Sequence, residues 1–186
     1  MKNQFVLVTL AMCMVLGAQA SAQITTQNWI TGWDNFSEPL DLTRSTIKWS
    51  VSTTRRLTVT YTLVKGTPNK LYQVGMHIFC TTFPATFGQF PTHGAGNGSC
   101  FTMTRQGVTK AVVAIEMGVV TTDIHGNGSL RVILGPIPSG SYDLEFTVRN
   151  GAGCNLTGGG GNAGNICEVD FQSPGPFGTG TTVTVP

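Results

Sequence analysis

The feature that most constrains this chain is strict two-residue alternation, repeated in segment after segment. Ile47, Trp49 and Val51 alternate with Lys48, Ser50 and Ser52, and Leu57, Val59, Tyr61 and Leu63 alternate with Thr58, Thr60 and Thr62. Side chains on a β-strand point to opposite faces in turn, so each segment presents one apolar face and one polar face. The rows Tyr72–Val74–Met76–Ile78, Val113–Ile115–Met117–Val119, Leu130–Val132–Leu134 and Tyr142–Leu144–Phe146–Val148 continue the pattern. Val169 and Phe171 oppose Glu168 and Asp170, and Thr181 to Val185 reads as a closing strand. No window carries a helical period longer than two turns. Composition agrees: 24 Gly, 27 Thr and only 11% charged residues favour strands and turns over helices. One polar face per strand excludes a parallel sheet buried on both sides. The expectation is an all-β antiparallel sandwich of about eight or nine strands, with a barrel as the alternative.

The ends and the cysteines place the chain outside the cytoplasm. Met1-Lys2-Asn3-Gln4 precedes an apolar run from Phe5 to Gly17, followed by Ala18-Gln19-Ala20-Ser21-Ala22. A short basic start, a short apolar core and an Ala-x-Ala site make residues 1–22 a secretory signal peptide of bacterial type, cleaved after Ala20 or, preferably, Ala22. The run is shorter than the roughly 20 residues a membrane span needs. Met12 directly before Cys13 breaks a lipobox. Residues 23–186 then form a single domain, secreted or at the periplasm or cell surface. Four cysteines remain in it: Cys80, Cys100, Cys154 and Cys167. An even count in an exported chain implies two disulfides. Cys80–Cys100 and Cys154–Cys167 are favoured, because each pair brackets a loop-like segment. Crossed pairing and unbridged thiols are the alternatives.

Turn chemistry separates the strands. Lys65-Gly66-Thr67-Pro68-Asn69 is a turn cluster. Asp123-Ile124-His125-Gly126-Asn127-Gly128 and Gly135-Pro136-Ile137-Pro138-Ser139-Gly140 read as hairpin loops. Four Asn-x-Ser/Thr sequons, at Asn35, Asn97, Asn127 and Asn155, read as turn composition. The run Thr121-Thr122-Asp123-Ile124-His125-Gly126, followed by Pro138-Ser139-Gly140-Ser141-Tyr142-Asp143-Leu144, resembles the TD-x-x-G … P-x-G-x-Y-x-L signature of transthyretin-like and carboxypeptidase-regulatory-like Ig-type domains. The resemblance covers about 25 residues and departs by a longer strand, Arg131 to Gly135, between its halves. It implies an Ig-like sandwich and, for most such modules, an accessory, binding or structural role.

The candidate chemistry is sparse. His77, His93 and His125 could hold Cu or Zn, as His77 with His93 or His125, and Met76 or Met103 could add a soft ligand. No two histidines have a short ligand spacing, so a turn residue and one surface histidine is the plainer reading. Asp123, His125 and Asn127 faintly resemble a calcium loop, but Leu134 stands where a bidentate Glu is needed. Asp143/Glu145 and Glu168/Asp170 read as solvated strand faces rather than a catalytic pair. No nucleophile motif is present. Aromatics crowd the Thr81–Ser99 loop at Phe83, Phe87 and Phe90, and the N-terminus at Trp29, Trp33 and Phe36. Exposed, the three phenylalanines would form a platform for a polymer or protein surface; buried, both groups would cap the core. A net charge of +2 gives no footprint for nucleic acid. The expectation is a secreted, non-catalytic binding or envelope-structural protein without a cofactor, meeting an unknown protein or polysaccharide surface.

Overall fold

The computed structural model describes residues 23–32, 38–82, 100–105, 107–151, 169–175 and 180–186. These form eleven strands and one short 3-10 turn, Cys80–Thr82. The strands are β1 (Thr25–Asn28), β2 (Ile30–Thr31), β3 (Thr46–Val51), β4 (Leu57–Leu63), β5 (Leu71–Phe79), β6 (Phe101–Arg105), β7 (Val108–Thr121), β8 (Gly128–Leu134), β9 (Gly140–Asn150), β10 (Val169–Gln172) and β11 (Thr181–Val185). The all-β expectation holds for these residues, and every strand ladder is antiparallel.

Two sheets result. One has the order β1-β3-β4-β8. The other has the order β2-β10-β9-β5-β7-β6, with β11 also pairing β9. The apolar rows read from the sequence supply one buried cluster from both sheets. Ile47, Trp49, Val59, Tyr61 and Val132 come from the first; Val74, Met76, Ile115, Leu144 and Phe146 come from the second. Trp49 and Tyr61 both meet the Phe146 ring, at 5.4 and 6.3 Å between centroids. Aromatic pairs at these separations add attraction beyond the area they bury.

The alternation fails at two bulges. On β10, Val169 pairs Arg149 but Phe171 pairs Val148, so Asp170 is the extra residue and Val169 does not share the core row of Phe171. On β7, Gly118 pairs Val74 but Glu116 pairs Gly75, so Met117 is the extra residue. A bulge reverses the in–out parity of everything after it. Val120 is therefore buried in the core, and Val119, expected there, is only half-buried.

The turns also join differently from expectation. Asp123–Gly128 and Gly135–Gly140 are not hairpin loops. Strands β7 and β9 belong to the larger sheet and β8 to the smaller, so both segments cross between sheets. So does the β4–β5 turn at Lys65–Lys70. Two of these crossings lie against each other: the Gly66 N–H donates to Gly126 O at 2.8 Å. A side chain at Gly126, which has φ +76°, would run into the Gly66 carbonyl, so this contact needs glycine.

The N-terminal segment spans both sheets. Its β1 half pairs with β3 and its β2 half with β10. Between the halves Trp29 enters the core, 1% exposed. On the other side of the molecule, the Tyr142 hydroxyl donates to Pro138 O at 2.6 Å, tying the start of β9 to the turn that feeds it. Tyr142→Phe removes that bond and leaves the ring. We expect a loss of about 1 kcal/mol in urea unfolding. Cys80 and Cys100 form a disulfide across a separation of 20 residues, as favoured from spacing. Residues 1–22, Cys154 and Cys167 lie outside the described residues.

Candidate functional site

A strand face opposite a core is normally solvated, but here part of the outer face of the larger sheet is buried. On β5 the outward residues Gln73, His77 and Phe79 are about 1% exposed, and on β9 Glu145, Thr147 and Arg149 are 5% exposed or less. Cross-strand register places these residues. His77 lies opposite Glu145, Gly75 opposite Thr147, and Gln73 opposite Arg149. Directly opposed side chains on an antiparallel pair sit close enough to interact. Gly75 has no side chain, which leaves the lane between His77 and Arg149 open.

The geometry assigns each polar atom a role. His77 Nδ1 lies 2.9 Å from Glu145 Oε2, and Arg149 Nη2 lies 3.5 Å from His77 Nε2. A carboxylate accepts and a guanidinium donates, so the ring carries its proton on Nδ1 and presents the Nε2 lone pair to Arg149. Burial lowers the His77 pKa to about 4, opposed by the Glu145 hydrogen bond and charge and assisted by the Arg149 and Arg105 cations. His77 is therefore neutral at pH 7, and its contact with Glu145 is a charge-assisted hydrogen bond rather than an ion pair. Asp170, beside Val169 where β10 meets Arg149, is fully buried as well. The Thr147 hydroxyl has no hydrogen-bond partner among the described residues.

These positions correct two expectations. His77 does lie on the face opposite Val74 and Ile78, but it is not a surface histidine. Glu145 and Asp170 are not solvated; of the four carboxylates read that way, Asp143 is half-exposed and accepts from Thr182 Oγ1, and Glu168 lies outside the described residues. The alternating pattern reports which face a residue takes but not whether a second layer covers that face. In the sequence only the apolar pair Phe79 and Val112 on the outer face hints at it.

The remaining candidates are dispersed. His125 stands exposed in the β7–β8 crossing, where the Asp123 carboxylate accepts from the backbone N–H groups of His125 and Asn127 at 2.8 and 2.9 Å. Asp123 thus caps a turn, which accounts for the Asp-x-His-x-Asn spacing without calcium. His77 stands six positions along β5 from Leu71, whose partner Thr121 ends β7. At roughly 3.3 Å per residue this is about 20 Å, far beyond a shared metal. No group of three or more His, Cys, Asp or Glu side chains suits a metal among the described residues. Phe83, Phe87, Phe90, His93, Trp33 and Phe36 lie outside the described residues. Trp29 belongs to the core. No helix among the described residues is long and apolar enough to cross a membrane.

Chemically, the cluster holds charge rather than moving it. A general base needs an open lone pair and a pKa near the working pH. The Nε2 of His77 has neither. The chain matches no protein-family model and no curated protein.

The pKa of His77 gives a pH dependence of stability. Between about pH 6.5 and 4 the unfolded chain binds a proton on His77 that the folded chain does not. Stability therefore falls as pH falls through that window, by about 3 kcal/mol, and this contribution changes no further below it. Asp41, held at about 2 by hydrogen bonds from Thr43 and Arg44, acts below the ordinary aspartate range and so outside this window. The check is the difference between native and His77→Gln unfolding free energies at pH 7 and pH 4. It should shrink by that amount at the lower pH.

Proposed function

We propose that this chain is an exported, non-catalytic Ig-like β-sandwich that serves in binding or as a structural component at the cell surface. The observation that carries the non-catalytic reading is the engagement of both His77 nitrogens, one by Glu145 and one by Arg149, in a buried cluster. The sandwich reading is supported by two antiparallel sheets sharing one core and by five passages of the chain from one sheet to the other. The Ig-like reading is supported by Tyr142. A tyrosine at the start of a strand that bonds back to backbone a few residues upstream is the tyrosine corner of such domains. The second disulfide belongs to the same reading, as Cys154–Cys167.

Export and surface binding are tested together. The full chain, produced in a bacterial host with an export pathway, is fractionated, and the purified protein is sedimented with insoluble cell-envelope material. The reading expects protein outside the cytoplasm, beginning at Gln23, that co-sediments with envelope. Retention of residues 1–22 in the cytoplasm, or no co-sedimentation, contradicts it.

A further inference from the structure

We propose that the outer face of the β1-β3-β4-β8 sheet docks an acidic polysaccharide. The inference rests on the binding role above and names the ligand class. Its basis is where the charge lies. Lys48, Arg131, Arg55 and Arg56 belong to this sheet or to the β3–β4 turn, and all four are exposed. Strands β1, β3, β4 and β8 and that turn contain no Asp or Glu. None of the four cations has a salt-bridge partner among the described residues; Arg44, Lys70 and His77 take the ionic contacts there. A chain close to neutral overall therefore carries four uncompensated positive charges on one unit.

Register orders the face. With Ile47, Trp49, Val59, Tyr61 and Val132 committed to the core, Lys48, Thr60 and Arg131 stand side by side across three strands, and Thr26 pairs Lys48 from the edge. One row contains Asn28, Thr46, Thr62 and Ser129; the other contains Ser50, Thr58 and Ile133. Neighbouring strands are about 4.8 Å apart, so Lys48 and Arg131 flank Thr60 across roughly 10 Å. The turn is fixed, with Arg55 N and Arg56 N both donating to Ser52, at its carbonyl and hydroxyl, and Ile137 N donating to Arg55 O.

The chemistry selects among polyanions. Two cations amid rows of hydroxyls suit carboxylates spaced among sugar hydroxyls, since each Thr and Ser can donate and accept. A nucleic acid would want aromatic side chains for its bases. The large hydrophobic residues exposed among the described residues are aliphatic; Ile133 lies on this face and Ile24 stands at its edge, directly before β1. Two separate isoleucines with no aromatic side chain beside them are also a poor anchor in a lipid surface. Attraction of this kind is screened by salt and strengthens at low ionic strength.

The test is affinity electrophoresis of the full chain in gels containing polygalacturonate, with dextran, polyuridylate and anionic phospholipid vesicles as comparison probes. Native protein should be retarded by polygalacturonate at low salt, and the retardation should fade as salt is raised. Lys48→Ser with Arg131→Ser should weaken binding about tenfold or more. Lys65→Ser with Lys110→Ser removes the same charge elsewhere and should change binding less than about twofold. Unchanged thermal melting of both double variants certifies that they fold. No retardation by polygalacturonate, equal losses in the two double variants, or stronger binding to polyuridylate or vesicles overturns the proposal. Envelope co-sedimentation that persists through such a result leaves the surface-binding role standing and removes only this site.

Discussion

Glu145→Ala is expected to destabilise the protein by about 3–5 kcal/mol, measured by urea unfolding at pH 7. Glu145 is 3% exposed and accepts from His77 Nδ1 at 2.9 Å. Its negative charge offsets Arg149 and Arg105, whose cations bear on the same imidazole. Removing it leaves buried positive charge without its neighbour and orphans the Nδ1 proton. A domain of this size has about 5–15 kcal/mol to lose, so the variant sits near the edge of folding at room temperature. Glu145→Gln retains an oxygen for His77 and removes only the charge, and it should lose less than the alanine variant. If the alanine variant loses under 1 kcal/mol, the cluster is solvated in solution and the site as described fails.

Trp29→Ala is expected to cost about 3–5 kcal/mol as well, for a different reason. Trp29 stacks on Tyr61 at 5.8 Å between centroids, and its Nε1–H donates to Thr62 O at 3.2 Å. It also sits between the two short ladders of the N-terminal segment, four residue pairs with β3 and two with β10. Ladders that short hold poorly without a buried side chain between them. The truncation thus leaves a cavity and loosens both. Trp29→Phe keeps much of the stacking and loses the hydrogen bond, so it should cost far less. Amide exchange gives an independent reading: Gln27 and Thr31 should exchange much faster in Trp29→Ala, and Val59 in mid-β4 should not.

The two variants mark the boundary of what the sequence makes legible. Strand positions were open to reading because a β-strand has a fixed period and a half-buried sheet must show it. Lys48 against Trp49 and Thr60 against Tyr61 behave as that period requires. Strand β6 is not among the expected strands, although Phe101 and Met103 alternate with threonines. Sheet membership was not legible. A turn sequence such as His125-Gly126-Asn127-Gly128 bends the chain without stating which sheet receives the next strand. The bulge at Met117 was hidden for a related reason, since it depends on how many residues of β5 lie opposite.

The site was legible only in its parts. His77 and Glu145 lie 68 positions apart, and neither carries a local motif. They are brought together by the β5–β9 ladder, which alternation alone cannot register. Their burial on the sheet's outer face is a property that the period-two rule does not report. The opposite sheet shows the converse. Its cations were visible one by one, but their concentration on one unit emerged only when β8 was placed beside β4, bringing Arg131 level with Lys48.

The central claim is that His77 is a neutral, fully engaged member of a buried structural cluster, and nitrogen NMR of selectively labelled histidine tests it most directly. The His77 ring should be protonated on Nδ1 at pH 7 and titrate with a midpoint of about 4. A midpoint near 6.5, or a ring protonated on Nε2, would contradict it.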